Sequence, residues 1–136
     1  MRLIGRLKIK KILQNQGKSS FSESIGHAMD GIQYTTTHER NFRIELSFAI
    51  LVTIMSYLLK VSIIEWCILI LTIGIVLALE LINTSIERTV DLVTKDYLEL
   101  AKNAKDIAAG AVFVMSMFSV IIGVLIFLPK IINIIK

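Results

Sequence analysis

Apolar residues gather in three long blocks. The first runs Leu46 to Leu59 and ends at the polar turn Lys60-Val61-Ser62. The second runs from Ile63 to Leu79 and passes without a polar spacer into Ala78-Leu-Glu-Leu-Ile-Asn-Thr-Ser-Ile-Glu-Arg-Thr-Val-Asp91. The third, Ile107 to Leu128, is 22 residues without a charge. About 20 apolar residues span the hydrocarbon core of a bilayer. The pattern therefore predicts an all-α integral membrane protein with transmembrane helices over 41–60, 63–93 and 105–128. Tyr97 to Asp106 reads as a polar connector, and Pro129 as the stop of the third helix. The whole chain, 1–136, is expected to form one domain.

Ahead of these blocks, Phe21, Ile25, Ala28, Met29 and Ile32 recur at helical spacing and predict a helix over 21–36, capped by Ser20 or Ser22. Gly26 and Gly31 weaken that helix, so it needs a packed neighbour or a membrane surface. Met1 to Gln16 mixes Leu3, Ile4, Leu7, Ile12 and Leu13 with Arg2, Arg6, Lys8, Lys10 and Lys11. It is either an amphipathic helix on an anionic lipid surface or a basic tail. No long apolar core precedes Phe42, so no cleaved signal peptide is expected.

Composition agrees with this reading. The chain is 54% hydrophobic, above the ~45–50% of soluble domains. The one cysteine, Cys67, sits inside an apolar block and excludes an internal disulfide and a cysteine metal cluster. The distribution of charge says more than the net +4. Eight of the 15 basic residues lie in 1–43, and Arg88, Lys95, Lys102 and Lys105 lie between blocks two and three. Lys60 stands alone between blocks one and two. The positive-inside rule then puts the N-terminus and the 88–105 connector in the cytoplasm, and the Lys60 turn and the C-terminus outside.

This topology collects polar residues on one side of the membrane. Glu80, Asn83, Glu87 and Asp91 fall within roughly 80° of helix circumference, while Leu81, Ile82, Ile86 and Val90 take the other faces. His38-Glu39-Arg40-Asn41 with Arg43 and Glu45, and Lys102-Asn103-Ala104-Lys105-Asp106, join them. Carboxylates from two helices with lysines from a third suit Mg²⁺ and a nucleotide. The ion takes one or two carboxylates and otherwise water and phosphate oxygens, and a further carboxylate can accept a proton from an alcohol. Salt-bridged helix ends would give a similar pattern. Glu80 and Glu87 lie about 10.5 Å apart along the helix axis, too far to chelate one ion together. The small run Ala108-Ala109-Gly110-Ala111 permits close helix packing and leaves room beside Lys105 and Asp106. Neither a phosphate-binding G-x-x-x-x-G-K-[ST] nor a G-x-G-x-x-G is present. His27 and His38 make no zinc motif, and no nucleic-acid module is recognisable.

Glu39-Arg-Asn-Phe-Arg-Ile-Glu45, Glu80-Leu-Ile-Asn-Thr-Ser-Ile-Glu87 with Asp91, and Ala101-Lys-Asn-Ala-Lys-Asp106 followed by Ala108-Ala-Gly-Ala-Val112 resemble the small prokaryotic diacylglycerol kinase family. That family includes the undecaprenol kinases of Gram-positive bacteria. The resemblance covers about Phe21 to Leu128. It implies a homotrimer with three transmembrane helices per subunit, an N-terminal amphipathic surface helix and active sites shared between subunits. It implies Mg²⁺ with ATP as co-substrate and a membrane lipid alcohol as acceptor, at the cell membrane. By position, Glu80 corresponds to the general base, and Glu39 and Glu87 to metal ligands that also contact ATP. Asn83 corresponds to a residue that orients the base or a phosphate, Lys105 to a phosphate ligand, and Asp106 to a nucleotide contact. Asp96 is a further nucleotide candidate. Glu80, Arg43 and Glu45 are the candidates for contact with the alcohol. Ala109 and Gly110 look like the Gram-positive branch, which points to undecaprenol, with diacylglycerol as the alternative. The competing class is a non-catalytic transporter or assembly subunit. It accounts for three spans but not for acids and lysines collected at one end.

Overall fold

A computed structural model describes residues 21–135. Met1 to Gln16, with its surface-helix or tail reading, and the Ser20 cap lie outside the described residues. Four helices follow in order: α1 (Phe21–His38), α2 (Arg40–Leu58), α3 (Ile63–Val93) and α4 (Glu99–Ile135). The contacts divide the chain into two units, one up to Tyr34 and one from Thr35 onward. In the first, Phe21, Ile25, Met29 and Ile32 form an exposed apolar row along α1.

The second unit carries α2, α3 and α4, each long and apolar enough to cross a membrane. Their outward side chains are large and apolar: Phe48 is 61% exposed, Ile70 62% and Phe118 57%. A surface this apolar is unsuited to water, whereas lipid tails solvate it freely. Two buried hydroxyls within the apolar stretches are satisfied along their own helices. Ser56 donates to the Val52 carbonyl at 2.7 Å and Thr72 to the Ile68 carbonyl at 2.7 Å.

Helix α2 ends at a tight reversal. The Val61 N–H reaches the Ser56 carbonyl at 3.2 Å and the Lys60 N–H reaches the Tyr57 carbonyl at 3.2 Å. Lys60 takes φ 51°, the left-handed turn that usually belongs to glycine at a helix C-terminus. Val61 is thereby tucked into an apolar cluster with Leu69, Ile126 and Phe127. Ser62 then caps α3: its hydroxyl accepts from the Glu65 N–H at 3.3 Å, and Glu65 accepts from the Ser62 N–H at 2.6 Å. Glu65 also pairs with Lys130 of α4 at 3.0 Å, tying the two helices at the end opposite the acidic stripe.

Two expectations are corrected. Residues 97–106 are not a connector throughout, because α4 already begins at Glu99. Ala101, Lys102, Ala104 and Lys105 are strong helix formers, Glu99 suits the first turn, and Lys102 pairs with Asp106 one turn on at 2.8 Å. Nor does Pro129 stop the helix, which continues to Ile135. Proline removes one N–H, but in an apolar setting leaving the helix would strand several more backbone groups.

Candidate active site

The site is built on the second half of α3. Glu80, Asn83 and Thr84 are buried at 3%, 6% and 5% exposure. Glu87 is half-buried and Asp91 exposed. Ile82, on another face, is 54% exposed. Glu80 and Asn83 therefore face the neighbouring helices while Ile82 faces out, the reverse of a helix in water. Asn83 Nδ2 donates to Glu87 Oε1 at 3.3 Å. Asn83 Oδ1 is buried with no hydrogen-bond partner, as is Glu45 Oε2 on α2.

Glu39 occupies the N-cap position of α2, with no side-chain bond to the helix start. Its carboxylate instead receives the Arg88 guanidinium of α3 at 2.6 Å. Glu80 lies within electrostatic reach of Glu87 and Glu39, and Glu45 within reach of Glu80. Four acids thus succeed one another from the apolar interior to the polar end. Arg43, on α2, donates to the carbonyls of Thr36 at 3.3 Å and Thr37 at 3.0 Å, securing the end of α1. From α4, Lys105 pairs with Asp91 at 2.8 Å. Asp106 is exposed and held by Lys102. Asp96 is exposed in the link between α3 and α4, where its N–H donates to Thr94 Oγ1 at 3.1 Å.

The structure thus brings Glu39, Glu80, Asn83 and Glu87 together, with Glu45 on the interior side and Lys105 at the polar end. It leaves Arg43 and Asp106 in other bonds at the margin and Asp96 exposed in the link between α3 and α4. Arg88 had no site role in the sequence reading, and Asp91, read as part of the stripe, was not matched there to Lys105. A cation beside Glu87 was the available signal for Arg88, but the approach of α2 to α3 chose its partner.

Beside Glu45 opens a cleft of about 640 Å³ between α2, α3 and α4, lined by side chains such as Phe48, Val52, Leu69, Val76 and Phe127. Its lining is apolar except for Glu45, Thr72, Ser116 and Ser119. Among the described residues no three His, Cys, Asp or Glu side chains converge on a metal position. The donor set of Glu39, Glu87 and the unpartnered Asn83 Oδ1 fits Mg²⁺, which completes its shell with water and phosphate, better than a cation caged by protein alone.

Residues 26–127 match the model of the prokaryotic diacylglycerol kinase family. An undecaprenol kinase of Bacillus subtilis is 53% identical over 110 residues, 81% of this chain and 89% of that protein. A diacylglycerol kinase of Synechocystis is 40% identical over 111 residues, 81% of this chain and 63% of that protein. The diacylglycerol kinase of Escherichia coli K12 is 29% identical over 105 residues, 77% of this chain and 86% of that protein. The match spans all the acids gathered around Glu80, and on these grounds the chain belongs to the prokaryotic diacylglycerol kinase family.

Proposed function

We propose that the protein is an ATP-dependent lipid kinase that phosphorylates the hydroxyl of a membrane lipid alcohol, with undecaprenol as the acceptor. One observation carries the reading. Glu80 is buried within electrostatic reach of Glu45, one of the few polar side chains lining an apolar cleft. A lipid chain fits that cleft, and its hydroxyl would reach a carboxylate. Family membership supports phosphoryl transfer, and the B. subtilis relative supports undecaprenol.

In this reading Glu80 takes the hydroxyl proton as the alcohol oxygen bonds to the γ-phosphorus of ATP, the bond from that phosphorus to the β–γ bridging oxygen breaks, and ADP leaves. Glu45 and Arg43 border the alcohol. Glu39 and Glu87 would hold Mg²⁺, which when bound supplies positive charge to the phosphates. Asn83 keeps Glu87 oriented through its amide. Lys105 leaves Asp91 for a phosphate, and Asp96 and Asp106 lie at the nucleotide edge. The protein works at the cell membrane, with its N-terminus cytoplasmic and its C-terminus outside. The whole chain is read as one kinase domain. Three copies assemble, with active sites shared between neighbouring subunits.

Diacylglycerol is the second acceptor, favoured by the Synechocystis relative. A panel of undecaprenol, diacylglycerol and a membrane lipid lacking a free hydroxyl, assayed with ATP and Mg²⁺ in mixed micelles, decides between them. Preferred transfer to undecaprenol supports the proposal, and preference for diacylglycerol replaces the acceptor. No transfer to either alcohol overturns the kinase reading.

A further inference from the structure

Glu39 is expected to hold a divalent cation, yet its carboxylate here holds the Arg88 guanidinium at 2.6 Å. The two uses compete for the charge of one carboxylate, whose Oε1 the guanidinium already takes. A Mg²⁺ sits about 2.1 Å from a carboxylate oxygen, and a guanidinium on that same carboxylate would face it as a like charge. Before loading, the pair has a clear purpose. Glu39, Glu80 and Glu87 crowd one region, and a cation on Glu39 offsets their repulsion. After loading, the metal supplies that charge and Arg88 loses its place.

The chain gives Arg88 somewhere to go. It follows Glu87 directly in α3, and its side chain is 52% exposed against 21% for Glu39. It projects from a helix extension that leads towards Asp91 and Lys105, themselves paired at 2.8 Å. A planar guanidinium fits two phosphate oxygens as well as it fits a carboxylate. We propose that Arg88 is a partner-exchanging counter-ion of the nucleotide site. It holds Glu39 while the site is empty, leaves that carboxylate to the metal, and closes on a phosphate of the bound nucleotide. This rests on the kinase reading above and adds a phosphate ligand to it.

The exchange makes two binding constants move in opposite directions when the cation is removed. Mn²⁺ binding to the nucleotide-free trimer in micelles, read by electron paramagnetic resonance, should be several-fold tighter in Arg88→Gln, because Glu39 is unmasked. Binding of a non-hydrolysable ATP analogue with Mg²⁺, read by equilibrium dialysis, should be about tenfold weaker, the usual loss for one charge-assisted bond. Arg88→Lys should fall between on both. A helix clip with no exchange gives unchanged or weaker Mn²⁺ binding, or unchanged analogue binding, and either result overturns the proposal. The unmutated protein offers a second test. Arginine modification by phenylglyoxal, mapped to Arg88 by mass spectrometry, should rise with Mn²⁺ alone and fall when the analogue is added. Constant reactivity through both additions overturns the exchange. Failure of the unmutated protein to bind the analogue at all overturns the kinase reading itself, and the exchange with it.

Discussion

Glu80 is where the residue scale carries the chemistry. A carboxylate at 3% exposure in an apolar helix is costly to keep unless it has a function or a partner. Its neighbours are Asn83 on the same stripe, which turns to Glu87, and the acids Glu39 and Glu45 from the start of α2. As the base, Glu80 should be far more sensitive in turnover than in binding. Glu80→Gln keeps the shape and removes the proton acceptor. Turnover should fall by about 10²–10⁴ while analogue affinity in the same preparation stays near wild type. Near-normal turnover removes Glu80 from the role. Lys60 shows the opposite use of a single residue. Its positive φ is tolerated because the reversal delivers Val61 to the cluster at the far end.

At the scale of elements, α3 and α4 are each fastened at both ends. At the polar end Lys105 joins Asp91, and at the other Lys130 joins Glu65. Glu65 also closes the capping box with Ser62. The two roles separate by substitution. Glu65→Gln loses the ion pair but still accepts from the Ser62 N–H, since glutamine serves equally in a capping box. Glu65→Ala loses both. Denaturation in mixed micelles should show the midpoint displaced roughly twice as far by Glu65→Ala as by Glu65→Gln. Equal displacement would mean that the cap contributes nothing to α3. Helical order from Glu99 has its own consequence. It makes Lys102 and Asp106 partners one turn apart and turns Lys105 towards α3 instead.

The whole molecule separates its chemistry by end. The apolar cluster around Phe127 and the Lys60 turn lie at one end of the helices, and the acids with Arg88 and Lys105 at the other. On the proposed topology the polar end faces the cytoplasm, where ATP is available. A cysteine at Ser62 in a Cys67→Ser background should react with an impermeant thiol reagent outside intact cells, and one at Asn103 should not. The reverse pattern would overturn the cytoplasmic site. Assembly is tested by mixing. Glu39→Gln and Glu87→Gln should each abolish activity or raise the Mg²⁺ requirement. If the two residues of a site come from different subunits, the co-assembled mutants should regain part of the activity through sites that draw both unmutated residues. No recovery in verified mixed trimers would mean that each site is built within one chain.

Much of this was legible in the chain itself. Hydrophobic block length announces three membrane-spanning helices, because lipid leaves the backbone no alternative to internal hydrogen bonding. Helical periodicity alone puts Glu80, Asn83 and Glu87 on one stripe, because that spacing is local. Local rules failed where the surroundings reversed their balance. Pro129 ends helices in water, where freed carbonyls are solvated, and does not end α4 here. Pattern also leaves open which face of α3 turns inward, and the structure buries the polar one. Only the tertiary arrangement paired Arg88 with Glu39 and Lys105 with Asp91. Partners on different helices depend on the rotation and axial offset of one helix against the next. Those are fixed by packing along their whole length, which no short stretch of sequence encodes.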